Sequence, residues 1–214
     1  MKKTRIYYVR HGQSYGNQHR IFLGHTDMDL TDMGRAQAAR TAERLAEVEF
    51  AAIYSSDLSR AFNTALPHAE MRGMQVKADK RLREFYCGDW EGLTVEQIIE
   101  KYGELYTDKW VNEFGTFTMP GGESVPDGAE RMCEIALEIA KAHPGENVLC
   151  ASHAAVIRAF FAKVAGIAPT EVSKQLPYPS NASYSIIEFD GEKLSVASYS
   201  EDEHLSDLLT TWKD

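Results

Sequence analysis

Residues 6–14 read IYYVRHGQS. Four β-prone apolar residues come first, and a charged pair and a glycine follow directly, which predicts a buried strand that ends abruptly in a loop. Because a buried strand has no structural need for such a pair at its exit, Arg10 and His11 indicate anion chemistry, with the arginine as fixed cation and the histidine as nucleophile or proton carrier. We expect Gly12 to let the backbone approach a ligand closely. A solvated turn is the alternative for this stretch taken alone.

Strands and helices alternate along the rest of the chain. This alternation predicts an α/β fold, a three-layer α/β/α sandwich with a mostly parallel sheet. The predicted strands are 6–9, 50–54, 74–77 and 147–151, followed by a hairpin of 183–189 and 193–199. The predicted helices are 32–48, 58–72, two short helices within 94–114, one that begins at a capping box at 127–130, and 152–165. The first of them places Ala38, Ala42, Leu45 and Ala46 on one face, and Ser55 to Asp57 are predicted to cap the second.

The length of 214 residues suits one domain over residues 1–214. Residues 84–126 depart from the alternation of strands and helices, and we predict that they form a helical lid insertion. A chain of this size buries enough surface to need no disulfide or structural metal. Three cysteines are an odd number without close pairing, which favours reduced thiols in a cytoplasmic protein.

Net charge and hydropathy exclude several partners. A formal charge of -9 argues against nucleic acid or an anionic membrane as the main partner, so a phosphate site must be a local basic island. No run approaches about 18 apolar residues, so we expect no membrane span. The basic N-terminus precedes an apolar run that is too short for a secretory signal.

Three predicted strand-to-helix junctions carry unusual polar residues, namely His11, Arg60 and His153. In an open α/β sheet, ligands bind outside the carboxyl ends of the strands, so parallel strands would bring the three together. Cations near a helix N-terminus oppose its dipole, whereas a phosphate accepts its free N–H groups. A metal site with Glu84 is disfavoured because the arginines would repel a dication and no His-Glu-x-x-His motif occurs. A serine triad is disfavoured because no Gly-x-Ser-x-Gly elbow occurs.

The motif of residues 10–14, followed by Asn17, resembles the signature of the histidine phosphatase superfamily, the phosphoglycerate mutase-like enzymes. Later stretches agree in order, and the Gly-Asp-Trp-Glu-Gly stretch at 88–92 resembles the branch with alpha-ribazole and broad-specificity phosphatases. Together the resemblance spans roughly residues 5–160. The later matching stretches are Leu30 to Ala38, Ser55 to Ala65, Leu82 to Gly92 and Ser152 to Arg158.

The resemblance implies that His11 is the nucleophile that becomes phosphorylated. It implies that Arg10, Arg60 and His153 bind the phosphoryl oxygens and that Glu84 is the proton donor. It implies no metal and no organic cofactor. The residues that it adds to the phosphate pocket are Gln13, Ser14, Asn17, Gly24 and Ala154. The chain departs from the family at Ala154-Ala155, where glycine is frequent, but alanine still offers a backbone N–H.

Elementary chemistry agrees with these roles. Neutral His11 can attack phosphorus only if one ring nitrogen is unprotonated, so the other must donate to a fixed acceptor such as a backbone carbonyl. Two arginines and a protonated His153 would stabilise the transferring phosphoryl group. Glu84 can protonate the leaving group if burial or a nearby anion raises its pKa.

Three functions follow from these residues. The first is a phosphomonoesterase that acts through a phosphohistidine on a small phosphorylated metabolite, the second a phosphoglycerate mutase, and the third a non-catalytic phospholigand-binding module. The motif has lost no core residue, which disfavours the third. The oligomeric state stays open, with a homodimer among the options.

Charge in the predicted lid favours hydrolysis over mutase activity. Residues 86–126 hold eight acids and only two lysines, whereas a mutase needs cations around the second anionic group of its intermediate. The lid is also rich in aromatics, which suit an apolar or ring-shaped leaving group, although we expect at least half of them to pack the lid's own core. These aromatics are Tyr86, Trp90, Tyr106, Trp110, Phe114 and Phe117.

Overall fold

A single six-stranded sheet organises the computed structural model, which describes residues 2–210. Its strands are β1 (Thr4–Arg10), β2 (Ala52–Ser55), β3 (Val76–Ala78), β4 (Asn147–Ser152), β5 (Tyr184–Phe189) and β6 (Leu194–Glu201). They lie in the order β3-β2-β4-β1-β5-β6. The pairings among the first four are parallel, whereas β1 pairs with β5, and β5 with β6, in the antiparallel sense. The predicted mostly parallel sheet is therefore confirmed.

Helices connect the parallel strands, as the crossovers of such a sheet require. The α-helices are α1 (Tyr15–Gln18), α2 (Asp32–Arg44), α3 (Ser59–Glu70), α4 (Val95–Tyr102), α5 (Val125–Ala142), α6 (Ala154–Val164) and α7 (Val172–Gln175). A π-helix spans Leu105–Trp110, and 3₁₀ turns span Lys80–Leu82, Gly88–Trp90, Phe114–Thr116, Pro169–Glu171 and Glu203–Leu208. No helix within residues 2–210 combines the length and the apolar character that crossing a membrane requires.

Alternating side chains of β1 build two apolar layers. Tyr7 and Val9 belong to the cluster formed with α3 and the end of α2, whereas Ile6 and Tyr8 belong to the larger cluster formed with α5 and α6. Successive side chains of a strand point to opposite faces, so this one strand anchors helices on both sides of the sheet. The three-layer α/β/α sandwich is confirmed.

Two helix boundaries differ from prediction. α5 begins at Val125 because the Ser124 hydroxyl accepts from the Asp127 N–H (3.1 Å), so the predicted capping box at 127–130 is wrong. α2 ends at Arg44 rather than near 48, and this leaves Ala46 exposed instead of on the buried face. At α5 the boundary follows the side chain that caps the free N–H groups of the first turn.

The cap predicted for α3 is also different. Leu58 occupies the N-cap position and offers no side-chain acceptor. The Ser56 hydroxyl instead accepts from the Leu58 N–H (3.3 Å), while Asp27 accepts from the N–H of Ser59 (2.9 Å). The N–H group of Ser59 at the start of α3 is therefore capped by Asp27 from a distant loop, a contact that the sequence around α3 cannot indicate.

The lid, defined as residues 84–126, packs against the body of the protein. Its aromatics Trp90, Tyr106, Trp110, Phe114 and Phe117 are all buried in the same cluster as α5 and α6. A sixth, Tyr86, is 45% exposed. At least half of the lid aromatics are therefore buried, as expected, but the expectation that they pack a core of the lid's own is wrong, because they belong to the core shared with α5 and α6.

Two glycines bring the loop after β1 against α2. A Cβ on Gly12 would lie 2.3 Å from the carbonyl oxygen of Gly34, and a Cβ on Gly34 would lie 2.0 Å from that of Gln13. Both distances are far inside van der Waals contact. Glycine at position 12 therefore serves backbone packing and not, as predicted, the approach of a ligand.

We predict that Gly34→Ala destabilises the protein by about 1–3 kcal/mol, because the new methyl group meets backbone that must shift. Intrinsic helix propensity alone would give a gain of about 1 kcal/mol. Urea unfolding compared with Ala36→Gly, at an exposed position of the same helix, separates the two effects. A stabilised Gly34→Ala would show that the close approach is not a constraint.

Candidate active site

The three predicted junctions meet at one edge of the sheet. His11 follows β1, Arg60 lies in the first turn of α3, and His153 is the N-cap of α6 after β4. The rings of His11 and His153 lie 5.1 Å apart between centroids. A pocket opens beside them, lined by Arg10, His11, Ser14, Asn17, Ile21, Phe22, Leu23, Gly24, Arg60, Glu84, Phe85, Cys87, Trp110, Met119, Ala154, Ala155 and Tyr178.

Two buried arginines flank the pocket with no carboxylate bonded to either among residues 2–210. Arg60 donates to the carbonyl oxygens of Thr26 (3.0 Å) and Gly24 (2.8 Å), and Arg10 donates to that of Pro179. The Nε of Arg10 has no hydrogen-bond partner within the same residues. Burial lowers the pKa of each arginine to about 10, so both stay cationic at neutral pH. Buried cations without a directly bound carboxylate are costly, which indicates an anion site.

The tautomer of His11 follows from one hydrogen bond. Its Nδ1 lies 2.7 Å from the carbonyl oxygen of Gly12. A carbonyl can only accept, so Nδ1 carries the proton. Burial, and then the charges of Arg60 and Arg10, lower the pKa of His11 well below its ordinary value. The ring is therefore neutral and leaves Nε2 unprotonated, with the backbone acceptor that nucleophilic attack was predicted to need.

His153 lies deeper than His11 and is fully buried. Its Nε2 lies 2.9 Å from the Ser56 hydroxyl. Burial, followed by the charge of Arg60, lowers the pKa of His153 well below its ordinary value. In the site without an anion, a proton on His153 would place a cation among other cations in a low-dielectric environment. The protonated His153 expected beside a transferring phosphoryl group stays a prediction.

Glu84 binds the start of α6. Its carboxylate accepts from the N–H groups of Ala155 (3.0 Å) and Val156 (2.9 Å), and also from that of Phe85 (3.1 Å). Burial raises the pKa of Glu84 above its ordinary value, although these N–H groups and Arg60 oppose the shift. This is the direction that a general acid needs.

A bidentate ion pair positions the segment that carries Glu84. Arg131 of α5 binds Glu123 through Nε (2.9 Å) and Nη2 (2.8 Å), and its Nη1 donates to the carbonyl oxygens of Arg81 (2.6 Å) and Arg83 (3.0 Å). Both carbonyls belong to residues that closely precede Glu84 in the sequence. Sequence analysis missed Arg131, since an arginine in a helix has no local signal for such a role.

The remaining predicted pocket residues divide into two groups. Ser14, Asn17, Gly24 and Ala154 line the pocket. Gln13 does not: its side-chain oxygen accepts from the Thr31 hydroxyl (2.9 Å), and its backbone N–H donates to Gln37 (2.8 Å). Gln13 therefore holds the loop after β1 against the start of α2 rather than completing the phosphate pocket.

Asn181 is a further residue that sequence analysis missed. It is 2% exposed and donates from Nδ2 to the His11 carbonyl oxygen and to the Asn17 side-chain oxygen, both at 3.1 Å. Its own oxygen accepts from the Thr210 hydroxyl (3.3 Å). Asn181 thus connects the backbone of His11 to a side chain that lines the pocket.

Metal ligation has no candidate in the part of the chain that the structure describes. No group of three or more His, Cys, Asp or Glu side chains there is arranged to hold an ion. The chemistry that the site offers is that of a neutral imidazole, two arginines, helix N–H groups and one carboxyl group.

Comparison with known families assigns the fold and the site together. The family model described as histidine phosphatase superfamily (branch 1) matches residues 6–202. The chain belongs to this superfamily. The resemblance in its motifs is therefore confirmed.

Named superfamily relatives include both phosphatases and mutases. Phosphoserine phosphatase 1 of Hydrogenobacter thermophilus is 33% identical over 87% of each chain. The 2,3-bisphosphoglycerate-dependent phosphoglycerate mutase 2 of Gloeobacter violaceus is 35% identical over 78% of each chain. The solved structure of mycobacterial glucosyl-3-phosphoglycerate phosphatase with VO3 has a TM-score of 0.85 and 30% identity, covering 92% of this chain and 98% of that one.

We predict that Asn181→Ala lowers kcat/KM about 10- to 100-fold, because the His11 backbone and Asn17 lose a shared donor that fixes their positions. Thr210→Val is the matched control: it removes the bond behind Asn181 but keeps both donors, and its activity should stay near that of the parent. Unchanged activity of Asn181→Ala with an unchanged melting temperature would show that the contact is incidental.

Proposed function

We propose that the chain is a metal-independent phosphatase that hydrolyses monoesters of small phosphorylated metabolites through a phosphohistidine on His11. The observation that carries the proposal is a neutral His11, its proton fixed on Nδ1, beside two buried arginines that have no carboxylate bound to them. The named activities of the phosphatase relatives support hydrolysis of such substrates.

In the first step, His11 Nε2 attacks phosphorus and the bond from phosphorus to the ester oxygen breaks. Arg10 and Arg60 stabilise the charge on the transferring phosphoryl oxygens, which is the main demand of phosphoryl transfer. Glu84 in its protonated form gives its proton to the leaving alkoxide. The products are the free alcohol, phosphohistidine and the Glu84 carboxylate.

In the second step, water attacks the phosphohistidine. The Glu84 carboxylate accepts a proton from this water as the bond from phosphorus to nitrogen breaks. Inorganic phosphate leaves, and both His11 and Glu84 return to their starting protonation states. The ring of His153 lies 5.1 Å from that of His11 between centroids, and a phosphoryl dianion bound beside them would raise the pKa of His153.

A phosphoglycerate mutase is the alternative, and mutases occur among the relatives. A mutase must bind a second anionic group while it keeps water from the phosphohistidine. Among residues 2–210, the Lys, Arg, Asp and Glu side chains that line the pocket are Arg10, Arg60 and Glu84, and both arginines already serve the first phosphoryl group. The acidic lid adds no cation to the lining, which supports hydrolysis.

The proposed compartment is the cytoplasm. Cys87, Cys133 and Cys150 are free thiols, and burial raises the pKa of each. Protonated thiols that are not paired suit a reducing environment.

We predict that a radiolabelled phosphate ester transfers label to the protein in EDTA, that acid releases the label, and that His11→Ala takes up none. His19→Ala, at an exposed histidine, is the control and should label normally. Phosphate release should exceed interconversion of 3- and 2-phosphoglycerate, with and without the bisphosphate. Faster interconversion would make the chain a mutase, and activity that only added metal restores would exclude the metal-free reaction.

We predict an activity optimum on the acid side of neutrality for alkyl phosphates. The acid form of Glu84 is required, so the rate falls as pH rises through its raised pKa; neutral His11 is required, so the rate falls at low pH only below the lowered pKa of His11. Glu84→Gln should slow the first turnover of alkyl esters about 10²- to 10⁴-fold, and that of nitrophenyl phosphate much less. Equal slowing in rapid-quench measurements would point to another proton donor.

A further inference from the structure

Among residues 2–210, six of the side chains that line the pocket form an uncharged part of its surface. They are Ile21, Phe22 and Leu23 from the loop after α1, Trp110 and Met119 from the lid, and Tyr178. Apolar and aromatic surfaces of this kind bind apolar parts of ligands. They offer no counter-ion to a carboxylate or an ammonium group, whose burial without one is costly.

Three of these side chains form a continuous surface that we call the aromatic wall: Phe22, Trp110 and Tyr178. The rings of Phe22 and Trp110 lie 5.7 Å apart at 68°, and those of Trp110 and Tyr178 lie 6.4 Å apart at 33°. Such offset and edge contacts stabilise aromatic clusters. The wall is therefore an assembled surface before any ligand binds.

A buried cation outside the pocket supports the wall. The guanidinium of Arg158 lies 4.2 Å from the ring centre of Tyr178 and 4.6 Å from that of Phe114. Its Nε donates to the carbonyl oxygen of Leu176 (2.6 Å), and Arg158 is not among the pocket-lining residues. It thus orients Tyr178 by a cation–π contact without offering its charge to a ligand.

The other charges near the mouth of the pocket are already engaged. Arg131 is bound to Glu123, and Glu91 accepts from the N–H of His25 (2.7 Å) and the Thr26 hydroxyl (3.0 Å). None of these carboxylates or arginines lines the pocket. A charged leaving group would therefore meet an apolar wall and an acidic lid.

We propose that the leaving group of the natural substrate is an uncharged alcohol with a flat apolar portion that lies against the aromatic wall. This inference rests on the proposed phosphatase function and narrows it. It separates this chain from the phosphoserine and glucosyl-3-phosphoglycerate phosphatases among its relatives, whose named substrates carry charged groups beside the phosphate.

A panel of phosphate esters of primary alcohols tests the proposal, because their alkoxides leave with similar ease. The panel holds 2-phenylethyl phosphate, ethyl phosphate and O-phosphoserine, with 3-phosphoglycerate as a second carboxylate. We expect kcat/KM for 2-phenylethyl phosphate to exceed that for each of the others by about 10- to 100-fold, the gain typical of burying one phenyl group. Nitrophenyl phosphate, whose leaving group needs no proton donor, reports whether phosphoryl transfer occurs at all.

Three variants test which side chains produce the selectivity. Trp110→Leu should reduce the ratio of kcat/KM between 2-phenylethyl and ethyl phosphate at least several-fold. Met119→Lys places a cation on the apolar side and should raise kcat/KM for phosphoserine relative to ethyl phosphate. Tyr102→Leu is the control, since Tyr102 contacts Trp90 in the lid but does not line the pocket, and it should leave the ratio unchanged.

Each outcome of the panel is decisive. Efficient hydrolysis of phosphoserine or 3-phosphoglycerate, equal to that of the phenylethyl ester, overturns the inference and leaves the phosphatase function standing. No phosphate release from any ester, nitrophenyl phosphate included, overturns the proposed function as well. A phenylethyl preference that survives in Trp110→Leu assigns the selectivity elsewhere and overturns the role of the wall.

Discussion

The parallel pairing of β1 with β4 determines where the chemistry can occur. Arg10 pairs with Ser152 at the end of both strands, and the N–H of His11 donates to the Ser152 carbonyl oxygen (3.0 Å). The two histidines therefore leave neighbouring strand ends side by side. A slip of one residue would turn every side chain of β1 to the opposite face, and the two buried apolar layers on that strand exclude it. Core packing thus sets the geometry of the site.

The site itself lowers the stability of the fold. Arg10 and Arg60 are buried with carbonyl oxygens as their only partners among residues 2–210, and Glu84 is a buried carboxyl group held at a helix start. An apolar core of the same volume would be more stable. The arrangement is explained by the anion that it binds, since the same desolvation that makes these cations costly strengthens their attraction to a phosphoryl group.

Sequence reasoning located the groups that follow strands and missed the groups that reach the site from elsewhere. His11, Arg60 and His153 could be placed because each stands at a strand exit. Asn181 could not, because its partner His11 is 170 residues away and nothing local to Asn181 signals the contact. The lowered pKa of His153 in the anion-free site could not be foreseen for a similar reason, because it depends on burial among groups that are distant in sequence. The start of α5 was misplaced because two caps compete, and Pro126 at the first turn favours the earlier one.

The aromatic wall and the groups assigned to phosphoryl transfer lie on different elements, which bears on how the substrate specificity of such a protein can evolve. His11, both arginines and His153 stand on the sheet edge and its helix starts, whereas the wall comes from a loop, the lid and the segment before β5. Under the proposed role of the wall, mutations in the second set would change which alcohol is accepted while His11, Arg10, Arg60 and His153 keep their positions. Gene duplication can therefore yield paralogues of new specificity by a few substitutions, each intermediate retaining a working catalyst.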